Sequence, residues 1–287
     1  MSPVLSYIRN NANKTGDFFM GMKSAELIRK FVDEVLSGDW EKFETFDVRS
    51  LSSSEQYGCP GRNFDCDDTE LMRAVYVVLW GDFFPHLTMD NYGYRKPYRG
   101  DTVNTFHTMF GRPIPERPGC FAGVEKYAPS DEFREKVRSF FRQYSSVGNY
   151  VVLPNFYARQ TTLNCYRGTN GWHDFFDRFL IELRKVLLNA QEADETLAEL
   201  VKVNDFCFSK FKTEKTFASL IQTLLLDDYC ENGVPQVIFP LNYHWKDETN
   251  QAQYLHDAEL YLEKTHFLIT KRSRKIVQLL KEKTAAL

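Results

Sequence analysis

The stretch WHDFFDRFLIELRKVLL, residues 172–188, contains the clearest pattern in this sequence. Large apolar side chains recur in it at intervals of three and four residues, which is the spacing of one face of an α-helix. The apolar stripe consists of Trp172, Phe175, Phe176, Phe179, Leu183, Val186 and Leu187. We expect the polar residues between them on its flanks, and these are His173, Asp174, Asp177 and Arg178. The pattern predicts an amphipathic helix that packs on a core.

Further helices are predicted on both sides of this stretch. Apolar periodicity indicates helices at about 24–36, 67–80 and 130–144, then within 193–211 and 216–230, and finally from about 251 to 283. Asp67 or Asp68 is the expected N-cap of the second helix, and Ser130 that of the third.

The predicted β-structure is small. The apolar run in VGNYVVLPN, between Gly148 and Pro154, is typical of a buried strand, and TTLNCY at 161–166 is its expected partner. A third strand is expected within 234–241. We therefore predict a mainly α (α+β) protein, a helical domain with a sheet of two to three strands.

The composition predicts one globular domain. The chain has 287 residues, of which 43% are hydrophobic and 15% aromatic, so a sizeable core is available. We expect a single domain over 1–287, with a helical segment at 1–66 packed on a core formed by 67–287. Residues 83–130 are rich in Pro, Gly and Tyr, and they predict a long ordered loop, which is usually functional in a domain of this size.

Charge and hydropathy argue against some classes of protein. The chain has 36 basic and 39 acidic residues, a formal net charge of −3, so no overall positive field draws it to nucleic acid or to membranes. No stretch approaches the ~18 consecutive apolar residues of a membrane span. The first residues also lack the pattern of a secretory signal. We expect a cytoplasmic protein with no membrane partner.

Cysteines and basic residues give weaker indications. The six cysteines include no C-x-x-C pair, so neither a zinc site nor a disulfide framework is predicted, and the sequence identifies no cofactor. The local basic run KRSRK, Lys271–Lys275, is typical either of a solvated helix face or of a phosphate-binding strip.

The tripeptide Tyr-Arg-Gly occurs twice, at Tyr98–Gly100 and at Tyr166–Gly168. In the second copy Arg167 is predicted to end a strand just before a helix, where a guanidinium and the helix N-terminus together favour an anion. The alternative is structural: Arg167 pairs with an internal acid such as Asp174 or Asp101, and the glycines only permit the turn.

Three segments, GNYVVLPN, TLNCYRG and WHDFFDRFL, together resemble a family of uncharacterised bacterial proteins that carry a domain of unknown function. The segment GDTVNTFHTMFG before them fits the same order. The resemblance covers about residues 99–228, and the first 60 residues carry no motif that can be attached to it. It implies a bacterial or phage setting and no known activity.

Two other resemblances involve Arg167. Tyr166–Gly168 is similar to the first motif of ADP-ribosyltransferases, where a strand ends in Tyr-Arg-Gly and the arginine binds the dinucleotide. Those enzymes are mostly β, however, whereas a long helix follows here. The step from Arg167 to His173 is similar to the R-x5-H spacing of helical ribonuclease toxins of the HEPN group, in which these residues handle phosphate and proton transfer. Two glycines separate the pair here.

Metal binding is a further alternative at the same place. His173, Asp174 and Asp177 could supply ligands together with His107 or Asp101. A histidine beside acids on a helix is more often part of a surface ion pair, and we assign no metal.

The loop YRGDTVNTFHTMFG completes the predicted site. Its polar side chains stand between Phe and Met, a mixture that lines small-molecule pockets, although Asp101 could equally be a helix N-cap. We predict that the protein binds or acts on a phosphate-bearing ligand, a nucleotide or RNA, at a polar pocket around Arg167. The predicted catalytic residues are His173 and Asp177; the predicted ligand-binding residues are Arg99, Asp101, Asn104, His107 and Arg167. The alternative is a non-catalytic module that binds a protein partner, with phage–host conflict as one setting.

Overall fold

Helices make up most of the protein, which we describe from a computed structural model. The structure describes residues 14–51, 53–58, 68–93, 96–105, 130–170, 175–239 and 251–286. The α-helices are, in chain order, α1 Lys14–Val35, α2 Glu70–Trp80, α3 Asp131–Tyr144, α4 Leu163–Thr169, α5 Phe176–Leu187, α6 Glu195–Val203, α7 Asp205–Phe208, α8 Glu214–Thr223 and α9 Gln251–Ala286. The predicted mainly α class with a small β part is confirmed.

Two short antiparallel pairs of strands form the β part of the described residues. β1 Tyr98–Thr102 pairs with β2 Tyr150–Pro154, and this register places Asp101 opposite Val151. β3 Cys230–Glu231 and β4 Val234–Pro235 form a separate hairpin. Its turn residues Asn232 and Gly233 both have positive φ, 52° and 80°, as a two-residue turn of type I′ requires.

The strand at 150–154 was predicted correctly, but its predicted partner was wrong. Residues 161–166 do not pair with it, because α4 begins at Leu163 and Thr162 accepts a hydrogen bond from the Cys165 amide at 3.3 Å as the N-cap. The true partner is β1, which contains the first Tyr-Arg-Gly. The predicted settings of both copies were therefore wrong: the first, expected in a loop, lies on a strand, and the second, expected at the end of a strand, lies on a helix.

Most predicted helices are present, with shifted ends. α1 begins ten residues before the expected start at Ser24. The N-cap of α2 is Thr69, whose hydroxyl accepts from the Met72 amide at 3.2 Å, rather than Asp67 or Asp68. Ser130 caps α3 as predicted, by accepting from the Phe133 amide at 3.2 Å. The third strand expected within 234–241 is reduced to the two residues of β4.

The long helix α9 is the element on which much of the chain packs. It contacts α1, α2 and α3, and also two short 3-10 turns at Trp40–Thr45 and Val147–Asn149. Its buried apolar side chains include Ala258, Tyr261, Leu262, Leu268, Ile269, Ile276, Val277 and Leu280. This face continues into the main core, which also takes in the apolar stripe of α5.

One of the two 3-10 turns approaches α9 unusually closely. The Gly148 amide donates to the Ser273 hydroxyl at 3.1 Å. A Cβ atom at position 148 would lie 2.3 Å from the Ile269 carbonyl oxygen and 2.6 Å from the Ser273 backbone nitrogen. Only glycine permits this distance between the two backbones.

Candidate functional site

Arg167 is the residue around which the predicted site was built, and its side chain lies inside the protein. It occupies the last turn of α4, where it is 1% exposed. Its guanidinium forms an ion pair with Asp101 on β1 and also donates to the carbonyl oxygens of Thr102, at 3.0 Å, and Val103, at 3.3 Å. The structural alternative, pairing with Asp101, is therefore what the geometry displays.

Two aromatic rings also contact Arg167. Its guanidinium carbon lies 4.5 Å from the centre of the Phe176 ring and 5.8 Å from that of Phe179, both on α5. Arginine stacks well on aromatic faces, and such contacts gain strength where water is excluded. Arg167 thus ties α4 to β1 and to α5 at once.

Asn104 belongs to a buried network next to this ion pair. Its side-chain amide donates to the Tyr229 hydroxyl at 2.7 Å. Its backbone is held by Asn149, which accepts from the Asn104 amide and donates to the Asn104 carbonyl, each at 2.9 Å. Asn149 also donates to the Tyr144 carbonyl at 2.8 Å. Satisfied amide networks of this kind fix the register of buried segments.

Asp177 was expected on the flank of its helix and is instead fully buried. Its carboxylate accepts hydrogen bonds from the backbone amides of Ile238, at 2.8 Å, Phe239, at 3.2 Å, and Arg178, at 2.9 Å. Burial raises the pKa of Asp177, and these three amides together with the charge of Arg178 oppose the rise. The carboxylate attaches the segment at 238–239 to α5.

The substitution Asp177→Asn tests this assignment through pH. Because ionisation costs more in the folded protein than in the unfolded chain, the stabilising contribution of Asp177 is complete below its ordinary pKa of 3.8 and is lost as the pH rises through the raised value. The free energy of unfolding of the wild type relative to the variant should therefore fall as the pH rises above about 4. Urea unfolding at several pH values measures it. If the stability of the wild type relative to the variant instead grew with pH, the hydrogen bonds from the three amides would lower the pKa of Asp177 more than burial raises it.

Of the three remaining predicted site residues, Arg99 lies near Asp101, and the two histidines lie outside the described residues. Arg99 lies two residues before Asp101, hence on the same face of β1, and is half-buried. His107 and His173 lie outside the described residues. Tyr166–Gly168 forms part of α4, so it lacks the strand setting of the ADP-ribosyltransferase motif. In the described ranges, no three His, Cys, Asp or Glu side chains are grouped as metal ligands.

A second buried arginine, Arg272 on α9, was missed by the sequence analysis. It donates to the carbonyl oxygens of Gly148, at 2.7 Å, Tyr150, at 2.6 Å, and Leu224, at 3.0 Å. Burial lowers the pKa of Arg272 to about 10. The sequence could have predicted that Arg272 is buried. Steps of three and four residues separate it from Leu268, Ile269 and Ile276, so it lies on the same face of the helix as these apolar residues.

Arg167, Asp177 and Arg272 are buried charged side chains on α4, α5 and α9. Burial raises the pKa of the Tyr229 hydroxyl, and the charges of Arg272, Asp177 and Arg167 all act on it. The ion pair of Arg167 with Asp101 joins α4 to β1. Apart from the half-buried Arg99, the described members of the predicted site are thus buried side chains that hold segments of the fold together.

Three other residues of the basic run are exposed or half-buried, namely Lys271, Arg274 and Lys275. Lys271 and Lys275 both form ion pairs with Asp228, and Arg274 contacts Glu44 at 3.3 Å. Beside them is a shallow cavity of about 480 Å³. It is bordered by His266, Phe267, Thr270, Lys271 and Arg274. Phe267 is 60% exposed, and the Lys271 ammonium lies 5.6 Å from the centre of its ring.

Comparison with known proteins places most of this architecture in one family. Residues 124–276 match the model of a family of unknown function, DUF6994, a stretch that begins before α3 and ends within α9. The expected resemblance to an uncharacterised family is confirmed. Asp101 and Asn104 lie outside the matched residues. No curated protein and no solved structure matches the chain. In the described part of the chain, no helix is both long and apolar enough to cross a membrane.

Proposed function

Because the chain belongs to DUF6994, a family of unknown function, we propose its function from its own surface: it binds a phosphate-bearing ligand at the exposed face of α9 around Phe267. The observation that carries this proposal is the composition of the cavity there. Its border, within the described residues, combines an aromatic ring, a hydroxyl, a histidine and two cations, and includes no acid. Phosphate oxygens are bound by cations and hydroxyls, and bases stack on aromatic rings.

The cations at this surface are accessible to a ligand. The Arg274 side chain is 70% exposed, and it donates a hydrogen bond at 3.3 Å to Glu44, whose side chain is 24% exposed. Ion pairs at the surface contribute only about 0–1 kcal/mol, so a phosphate can replace the carboxylate as the partner of the exposed guanidinium. A guanidinium can also bind two phosphate oxygens at once.

The geometry supports the pocket around Arg167 less well. A ligand there would have to displace Asp101 from a buried guanidinium that also donates to two carbonyl groups. Separating a buried pair costs several kcal/mol, of order 3–5. The phosphate-binding hypothesis therefore moves from Arg167 to the basic run, which the sequence offered as an alternative.

A protein-interaction module remains the second candidate function, and one observation favours it. Val237 is an exposed apolar residue next to Ile238, whose carbonyl accepts a hydrogen bond from Lys264 of α9 at 2.8 Å. Lys264 lies about one turn before Phe267. A contiguous exposed apolar patch marks a protein-interaction site, and this second proposal takes Val237 and Phe267 as members of such a patch.

The double substitution K271Q/R274Q tests the phosphate proposal. We expect it to weaken binding of labelled ATP and of a labelled oligouridylate by roughly 10-fold or more, because two charge-assisted phosphate contacts are lost. Fluorescence polarisation measures the affinity. The melting temperature should change little, since both residues are exposed.

Arg138→Gln is the matched control, because Arg138 is an exposed arginine of α3 with a loose contact to Glu135 at 3.7 Å. It should bind both probes as the wild type does. Equal affinity of the wild type and the double variant for both probes would remove the support for this surface.

A further inference from the structure

We propose that the ligand of this surface is a single-stranded nucleic acid, with one unpaired base stacked on Phe267 and its phosphates following α9 toward Lys281. This inference rests on the proposed function and names its ligand. It is carried by a continuous stripe of exposed residues, by the one-sided shape of the site and by a change of charge at one end of the stripe.

The stripe consists of Phe267, Lys271, Arg274, Gln278 and Lys281. All five are exposed, and steps of four, three, four and three residues align them along one side of the helix. At 1.5 Å per residue the stripe is about 21 Å long. That length accommodates a short segment of a strand, about four nucleotides.

The shape of the site favours a polymer over a free nucleotide. The five residues that border the described part of the cavity all come from α9, so they form a single wall. Sites for small ligands usually enclose about 70–90% of the ligand. A polymer gains affinity differently, because each successive phosphate meets another cation of the stripe.

The exposed ring decides between single and double strands. Phe267 is 60% exposed, with the Lys271 ammonium 5.6 Å from the centre of its ring, and stacking of a base on this ring requires a base that is not already stacked in a duplex. Stacking on aromatic side chains is the common mode of contact with single strands. The arrangement therefore selects unpaired bases.

Charge limits the stripe at its other end. One and two turns before Phe267, Glu263 and Glu259 both contact Lys136 of α3 at 3.1 Å, so two acids meet a single cation there. Beyond Phe267, Asp228, Glu44 and Glu282 are the acids that contact residues of the stripe within the described ranges, and they pair with Lys271, Arg274 and Gln278 respectively. The strand should run from Phe267 toward the C-terminal end of α9.

The experiment compares four labelled probes on the whole protein by fluorescence polarisation: an oligouridylate of about 12 nucleotides, the matching oligodeoxythymidylate, a duplex of the same length, and oligoglutamate. We expect one or both single strands to bind at least roughly 10-fold more tightly than the duplex and oligoglutamate. The two single strands distinguish RNA from DNA. Equal or tighter binding of the duplex or of oligoglutamate would overturn the inference, since charge alone would then explain the affinity.

Substitutions at the two ends of the stripe separate this inference from the proposed function. Phe267→Ala and Phe267→Leu should weaken single-strand binding roughly 10-fold, and Phe267→Trp should retain it, because stacking needs an aromatic ring. Lys281→Gln should weaken binding of the oligonucleotide and leave binding of ATP unchanged, because a single nucleotide at Phe267 does not reach Lys281. Tyr157→Ala is the control, an exposed aromatic outside α9.

The outcomes are distinguishable. If ATP and the oligonucleotide respond identically to every variant, or if Phe267→Leu binds as the wild type does, the single-strand inference is wrong and the phosphate site stands. If no phosphate-bearing probe binds, both are wrong. The expected salt dependence adds a further check, a slope of log affinity against log salt near about −2 for three phosphate contacts to a single strand.

Discussion

Replacing Gly148 by alanine is expected to destabilise the protein by about 3 kcal/mol or more. The added Cβ atom would lie 2.3 Å from the Ile269 carbonyl oxygen and 2.6 Å from the Ser273 amide nitrogen. Both are backbone atoms of α9, so no side-chain rotation relieves the overlap. The turn and the helix must separate, and the contacts of Arg272 with the Gly148 and Tyr150 carbonyls are then disturbed as well. Urea unfolding followed by circular dichroism measures the loss.

Gly38→Ala is the matched control for this substitution. Gly38 has φ +79°, and no atom lies within 4 Å of the position of its missing Cβ. Alanine at position 38 should lower the stability only by the strain of a non-glycine residue in a left-handed backbone conformation, about 1–2 kcal/mol. If the two variants lost the same stability, the close approach of the turn to α9 would not be the reason for glycine at position 148.

Removing the carboxylate of Asp101 should have an effect of similar size. Asp101→Ala leaves the Arg167 guanidinium buried without the partner that neutralises it, which costs about 3–5 kcal/mol. Arg167→Met in the same chain removes the charge as well and fills part of the space between Phe176 and Phe179. The double variant D101A/R167M should therefore recover much of the stability lost in D101A.

A double-mutant cycle measures this coupling. Additive effects of the two substitutions would show that Asp101 and Arg167 do not stabilise each other. The same variants test the site predicted from the sequence. If D101A/R167M folds but no longer binds ATP or the oligouridylate, the ligand lies at Arg167 after all; we expect it to bind as the wild type does.

The fold could be predicted where a secondary-structure element has a local sequence pattern, such as an apolar period or an N-cap residue. The stripe of α5 is visible in the sequence because six of its apolar residues, from Phe175 to Leu187, recur at helical spacing, and all of them are buried. The cap of α3 at Ser130 is equally local. β1 carries no such signal: it contains Gly100 and charged residues, and its pairing with β2 joins segments about fifty residues apart. Without that contact, its residues are indistinguishable from a loop.

The candidate site was predictable in part for the same reason. The pairing of Arg167 with Asp101 was one of two readings of the sequence, and the pattern could not decide between them because burial depends on how α4 meets β1. Asp177 looks like a flanking charge until Ile238 and Phe239 arrive from about sixty residues downstream. Phe267 looks like any other apolar residue of α9, and only its exposure distinguishes it. The prediction of a single domain, in which a segment at 1–66 packs on a core formed by 67–287, stays a prediction.

The long helix α9 also has a consequence for synthesis in the cell. It follows in the chain every element that it packs against, and Arg29 of α1 donates to the Thr284 carbonyl across 255 residues. At translation rates of about 5–20 residues per second, α1 leaves the ribosome roughly 10–50 s before the end of α9 does. During that interval, the apolar surface of α1, α2 and α3 that α9 covers in the folded protein is exposed to solvent. The nascent chain should therefore be a better client for chaperones, and for proteases, than the finished protein.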